Sequence, residues 1–188
     1  MATHVALLRG INVGGNNKVP MAELREVVAA LGHTGVSTYI QSGNVLFTAR
    51  DGGPTDDPAL AAGLEKAIGQ AFGVQLRVVV LSRAELAQVI SDNPYQAEPN
   101  PKCVHAMFFP AEPGEQVRES VAAAGQQAAA KGGRDEATVV GRTLFLHTPD
   151  GYGRSELAVR LSRARGPVAD GTARNWATVT KLLALCDS

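Results

Sequence analysis

At 188 residues and 45% hydrophobic, the chain can form one large domain or two packed halves around a sizeable core. Only 19% of it is charged, and 18 Lys+Arg balance 18 Asp+Glu, which argues against general disorder and against a wholly electrostatic nucleic-acid binder. Cys103 and Cys186 lack C-x-x-C spacing, the start lacks a signal-peptide pattern and no apolar run is as long as a membrane span, so a cytoplasmic protein without a membrane partner is expected.

HVALLRG (4–10) reads as a strand with apolar side chains on both faces, the pattern of a central strand. PMAELREVVAALG (20–32) reads as a helix: Pro20 suits the first turn, Gly32 the end, and Leu24, Val27, Val28 and Leu31 form one stripe. GVSTYIQSGNVLFTAR (35–50) reads as two strands around a Ser42-Gly43-Asn44 turn. DPALAAGLEKAIGQAFG (57–73) is a second helix, with Asp57 as its cap, and VQLRVVVL (74–81) a fourth strand. This β-α-β-β-α-β order is that of a ferredoxin-like unit, two helices on one face of a four-stranded antiparallel sheet.

Ser82 and Glu85 form a capping box that opens a further helix over 82–90, which closes a first half at 1–91. DNPYQAEPNPK, with three prolines, reads as a linker over 92–102. The second half, 103–188, follows with a strand at 103–109 and a helix at 113–131. A hairpin at 137–148 turns on Gly141-Arg142, and another helix covers 155–166. It repeats β-α-β-β-α and then ends in an amphipathic helix over 175–186. The fold class expected is α+β, a ferredoxin-like βαββαβ half followed by a related βαββα half with a C-terminal helix.

Charge is uneven along the chain. Residues 1–50 carry four Lys/Arg against two Asp/Glu, and residues 151–188 carry six against three, whereas the middle is acidic. Basic ends that meet would make a positive site on a neutral protein. The opening loop, LRGINVGGNNKVP (8–20), is chemically suited to an anion. Gly10, Gly14 and Gly15 expose backbone N–H groups, Asn12, Asn16 and Asn17 add donors, and Arg9 and Lys18 add charge. It matches neither a P-loop nor a dinucleotide fingerprint. The plainer alternative is a long β-to-α connection in which Gly and Asn only permit the turns. In the QSGN turn, Ser42 lacks the nucleophile-elbow context. Near the end, Arg174, Thr178 and Lys181 are expected on one stripe of a helix, where Arg offers a fork for phosphate or carboxylate and Lys a point charge. The four histidines show no ligand spacing, so no metal site is expected, and no residues are assigned to catalysis. The first strand has no aromatic side chain, which disfavours base stacking of the RNA-recognition type.

Taken together, LLRGINVGGNNKVPMAELR, TYIQSGNVLF, GYGRSELAVRLSRA and TARNWATVTKLL resemble the domain-of-unknown-function family 1697 along nearly the whole chain. Thr172 through Leu182 fit the closing motif, with Ala173 where many members carry Thr or Ser. The resemblance implies an α+β protein with ferredoxin-like halves, bacterial and cytosolic in style, and no established activity. It places polar motif positions at Arg9, Asn12, Lys18, Gln41, Ser42, Asn44, Arg174, Asn175, Thr178 and Lys181.

The expectation is a site for a phosphorylated small molecule or nucleotide, built from those residues with Gly14 and Gly15; the cofactor, if any, is unknown. Three rival expectations stand beside it. One is an enzyme on phosphorylated substrates, with Asp150 and Glu156 as the nearest acids. Another is backbone binding to nucleic acid. The last is a protein-interaction module whose polar motifs are structural.

Overall fold

The computed structural model describes residues 1–14, 17–53 and 56–188, and its chain divides into two compact units. The first comprises Met1–Gln88 with Lys181–Ser188, the second Val89–Thr180.

The first unit contains β1 (His4–Leu8), α1 (Met21–Ala30), β2 (Thr34–Tyr39), β3 (Asn44–Thr48), α2 (Asp57–Phe72) and β4 (Val78–Ser82). The sheet is antiparallel in the order β2-β3-β1-β4, so β1 is interior, with Ala6 opposite Val45 on one side and Val80 on the other. Ala6, Leu8, Val45, Phe47 and Val80 meet Leu24 and Val28 of α1 and Leu60, Leu64 and Ile68 of α2. Val5, Leu7, Leu46, Val79 and Leu81, on the other face, are equally buried, as the doubly apolar first strand implies. Two helix starts differ from the sequence reading. Asp56 is the cap of α2, its carboxylate accepting from the Ala59 N–H (2.9 Å), which makes Asp57 the first helical residue and Pro58 the second. Pro20 is the N-cap position of α1 and lies just outside the helix.

The capping box holds as read: the Glu85 carboxylate accepts from the N–H and the hydroxyl of Ser82, each at 2.9 Å, and α3 (Arg83–Ser91) follows. The second unit takes in the Pro-rich stretch 92–102, which is tied down by side chains. Tyr95 stacks on His147 with ring centroids 5.1 Å apart, and its hydroxyl lies 3.0 Å from that of Thr138. His147 Nε2 is 2.8 Å from the Glu98 carboxylate.

Then come β5 (Val104–Phe108), α4 (Glu115–Ala129), β6 (Glu136–Val140), β7 (Thr143–His147), α5 (Glu156–Arg163), β8 (Thr172–Asn175) and α6 (Trp176–Cys186), with 3-10 turns at Tyr152–Arg154 and Gly166–Asp170. The sheet order is β6-β7-β5-β8, again antiparallel. Met107, Phe109, Leu144 and Leu146 pack on Val117, Val121 and Ala124 of α4 and Leu157 and Leu161 of α5. β8 completes a second βαββαβ set. The sequence reading lacks this strand, because four residues, TARN, carry too little alternation to separate them from the helix they lead into. Asn175 therefore closes a strand instead of lying within the helix.

Ser155 is a buried cap whose hydroxyl accepts from the Ala158 N–H and donates to Asp135, both at 2.8 Å. Ser155→Ala is expected to cost about 1–2 kcal/mol, read as a lower urea midpoint with an unchanged slope.

Candidate functional site

The opening loop is held by its own side chains. Asn12, at φ 54°, donates from Nδ2 to the carbonyls of Val19 (3.0 Å) and Gln41 (3.1 Å), and its Oδ1 accepts from the Val19 N–H (2.9 Å). Its own N–H donates to the Asn17 carbonyl, and Asn17 Nδ2 donates to the Gly10 carbonyl, both at 3.0 Å. The second loop is closed in the same way: the buried Asn44 donates from Nδ2 to the Tyr39 carbonyl and the Ser42 hydroxyl, both at 3.0 Å. Gly43 belongs there because its φ is 80° and a Cβ would come within 2.8 Å of Leu8 Cβ. Next to it, Ile40 holds φ 49°, a conformation that costs a β-branched residue about 1–3 kcal/mol.

The structure thus sorts the predicted site residues. Asn12 and Asn44 are committed to backbone partners. Gly14, at φ 59°, Lys18, Gln41 and Ser42 are exposed, while Gly15 lies outside the described residues. In the second unit, Arg174 sits on β8 opposite Ala106, so the helical stripe with Thr178 and Lys181 does not exist. The sequence spacing assumed a helix where the chain is still paired as a strand. Arg174 donates from Nη1 to the Thr172 hydroxyl (3.0 Å) and the Ala173 carbonyl (2.8 Å), and burial pushes its guanidinium down to about 10, still charged at neutral pH. Asn175 caps α6, its Oδ1 accepting from the N–H of the buried Thr178 at 2.8 Å. Lys181 is exposed in the part of α6 that counts with the first unit.

Arg9 leads instead to two cations that sequence reasoning missed. A groove of about 830 Å³ in the first unit is walled by Arg9, Gly10 and Asn17 on one side. On the other stand Glu65, Lys66, Gly69 and Gln70 of α2, its C-cap Gly73 and the stretch 74–77. Arg9 and Arg77 are backbone neighbours just beyond the Leu8–Val78 end of the β1–β4 pair, where the Arg9 N–H donates to the Arg77 carbonyl at 2.9 Å. The groove's carboxylate, Glu65, accepts from the Val78 N–H through Oε1 at 2.8 Å, and its Oε2 lies 3.8 Å from Arg77 Nη1. The register holds a signal for this site: once β4 is placed beside β1, the residue after Leu8 must meet the residue before Val78.

The second unit holds one unusual titratable group. His105 stacks on Tyr152 with centroids 4.0 Å apart, and its buried Nδ1 has no hydrogen-bond partner among the described residues. Burial pulls the imidazole down to about 4. Among the described residues, no cluster of three or more His, Cys, Asp or Glu could hold a metal ion, and no helix is long and apolar enough to cross a membrane. Asp150 is engaged bidentately by Arg134, and Glu156 accepts from Lys131 and pairs with Arg160, both at 2.8 Å. Both acids are held below the usual carboxylate range, chiefly by these hydrogen bonds.

Fold and groove define an α+β protein of two ferredoxin-like units, one of which carries a groove lined by α2 and the end of the β1–β4 pair with three cations on it. The chain belongs to the family described as "Protein of unknown function (DUF1697)", whose model matches residues 1–145. Among solved structures it resembles the conserved bacterial protein SP0830 from Streptococcus pneumoniae. The two are 24% identical, with a TM-score of 0.74 and 98% of each chain covered, and that likeness concerns the fold. No curated protein matches the chain.

Two outcomes are expected. Asn12→Ala leaves three backbone groups unpaired and should cost about 2–3 kcal/mol in chemical denaturation, with a lowered melting temperature. His105 takes a proton near its ordinary 6.5 in the unfolded chain but only near 4 when folded. Stability should therefore fall as pH drops from 6.5 towards 4. His105→Phe should flatten that fall in urea titrations at pH 7 and pH 4.5.

Proposed function

We propose that the protein binds an anionic, phosphorylated small molecule in the groove of its first unit. The observation that carries this reading is the meeting of Arg9, Lys66 and Arg77 on one concave surface that holds a single carboxylate. Arg9 comes from the opening loop, Lys66 from α2 and Arg77 from the stretch before β4, and an anion on this surface would have charge-assisted donors from all three elements. The volume lies within the roughly 300–1,000 Å³ range of small-molecule sites. Gly10 and Gly73 both have positive φ and no Cβ, so the backbone can come close to a ligand. Two buried thiols fit a reducing compartment, and a cytoplasmic protein is part of the same proposal.

Isothermal titration with inorganic pyrophosphate at low salt tests the reading. Saturable binding is expected, weakened about tenfold by Lys66→Ala, equivalent to about 1.4 kcal/mol. Absence of saturable binding, or equal affinity in the variant, would refute it. Affinity that collapses steeply with salt and grows with polymer length would point to a nucleic-acid backbone instead.

A further inference from the structure

We infer that the groove is selective for phosphate esters of hydroxylated skeletons, and that Glu65 sets this selectivity; the inference rests on the anion-binding reading above. A site meant for bare phosphate or polyphosphate gains nothing from a carboxylate among its cations, since like charges repel and the acid weakens each cation it neutralises. Glu65 nevertheless lines the groove in the middle of α2, with its side chain 26% exposed. Its two oxygens have different tasks. Oε1 accepts from the Val78 N–H at 2.8 Å, which ties the start of β4 to α2 and fixes where the carboxylate stands. Oε2 is 3.8 Å from Arg77 Nη1, beyond hydrogen-bonding distance, and keeps acceptor capacity on the groove wall.

A fixed acceptor beside three cations calls for a ligand with a hydrogen-bond donor near an anionic group. Vicinal hydroxyls supply that donor, and a carboxylate that accepts from sugar hydroxyls while cations or N–H groups hold the phosphate is a recurring division of labour. Gln70 and Gln75 on the same surface add amide groups that can both donate and accept towards a polyol. A sugar phosphate and a nucleotide share this chemistry, and both are placed in the test.

Affinities are measured by titration calorimetry for ribose 5-phosphate, AMP, propyl phosphate and pyrophosphate, on the wild-type chain and on Glu65→Gln. Glutamine keeps an acceptor for the Val78 N–H, so the variant should fold, and its melting curve verifies this. On the wild-type chain, ribose 5-phosphate is expected to bind about tenfold tighter than propyl phosphate. In Glu65→Gln that preference should disappear while pyrophosphate binds as tightly or more tightly. AMP tighter than ribose 5-phosphate would identify the ligand as a nucleotide; equal affinities would identify a sugar phosphate. Equal wild-type affinity for ribose 5-phosphate and propyl phosphate overturns the inference without any variant. Equal losses for all four ligands in Glu65→Gln also overturn it, while leaving the anion site standing. If none of the four binds, the inference falls together with the anion-binding reading.

Discussion

The carboxamide of Asn12 is the contact on which the first unit's loops depend. One side chain satisfies both backbone groups of Val19 and the carbonyl of Gln41, so the loop after β1 is closed on itself and joined to the β2–β3 turn. A loop of this length without regular structure would otherwise leave backbone groups to water and many conformations open. The clamp forces unusual backbone on its neighbours. The three non-glycine residues with positive φ among those described, Asn12, Asn17 and Ile40, all lie in these two loops. Local strain of this kind persists only where surrounding contacts over-determine it. Here those contacts are the asparagine side chains and the packing of Leu8 and Ile11 around Gly43.

Polar residues in this protein therefore divide by task. Asn12, Asn17, Asn44, Ser155 and Asn175 answer backbone groups at loops and helix starts, and their hydrogen-bonding capacity is largely consumed there. Two cations of the groove are placed differently. Lys66 is exposed and Arg77 keeps 65% of its side chain in water. Surface cations so placed contribute little to stability, and their convergence needs another reason.

Much of this was legible in the sequence. The doubly apolar run 5–8, the stripes of the helices and the Ser82–Glu85 box each depend on short-range periodicity or capping, which survives without knowledge of the tertiary fold. β8 did not show, because four residues are too few for a period. The cap of α2 was misplaced by one position, since Asp56 and Asp57 are chemically equivalent until the backbone chooses between them. The candidate groove was half legible. Arg9 stood out within its loop, whereas Lys66 and Arg77 resemble ordinary surface charges in a helix and before a strand. Only the pairing of β1 with β4 brings them into relation. Reading Arg174 as a helical residue failed for the converse reason, a strong amphipathic helix extended one step too far upstream.

The first unit is not contiguous in the chain. Its last eight residues, Lys181–Ser188, arrive after the whole second unit has been traversed, and they are bonded into it at several points. The Cys186 carbonyl accepts from the Ala2 N–H at 3.0 Å, and the Asp187 carboxylate takes two hydrogen bonds from Arg83 at 2.7 and 3.1 Å. During synthesis the N-terminal unit emerges first, yet these contacts cannot close until Cys186 and Asp187 have been made. For that interval the nascent first unit lacks its final helical turns, and at about 5–20 residues per second the wait lasts on the order of 5–20 seconds. The second unit, by contrast, ends at Thr180, so the half of the protein made later is the one whose residues are complete first.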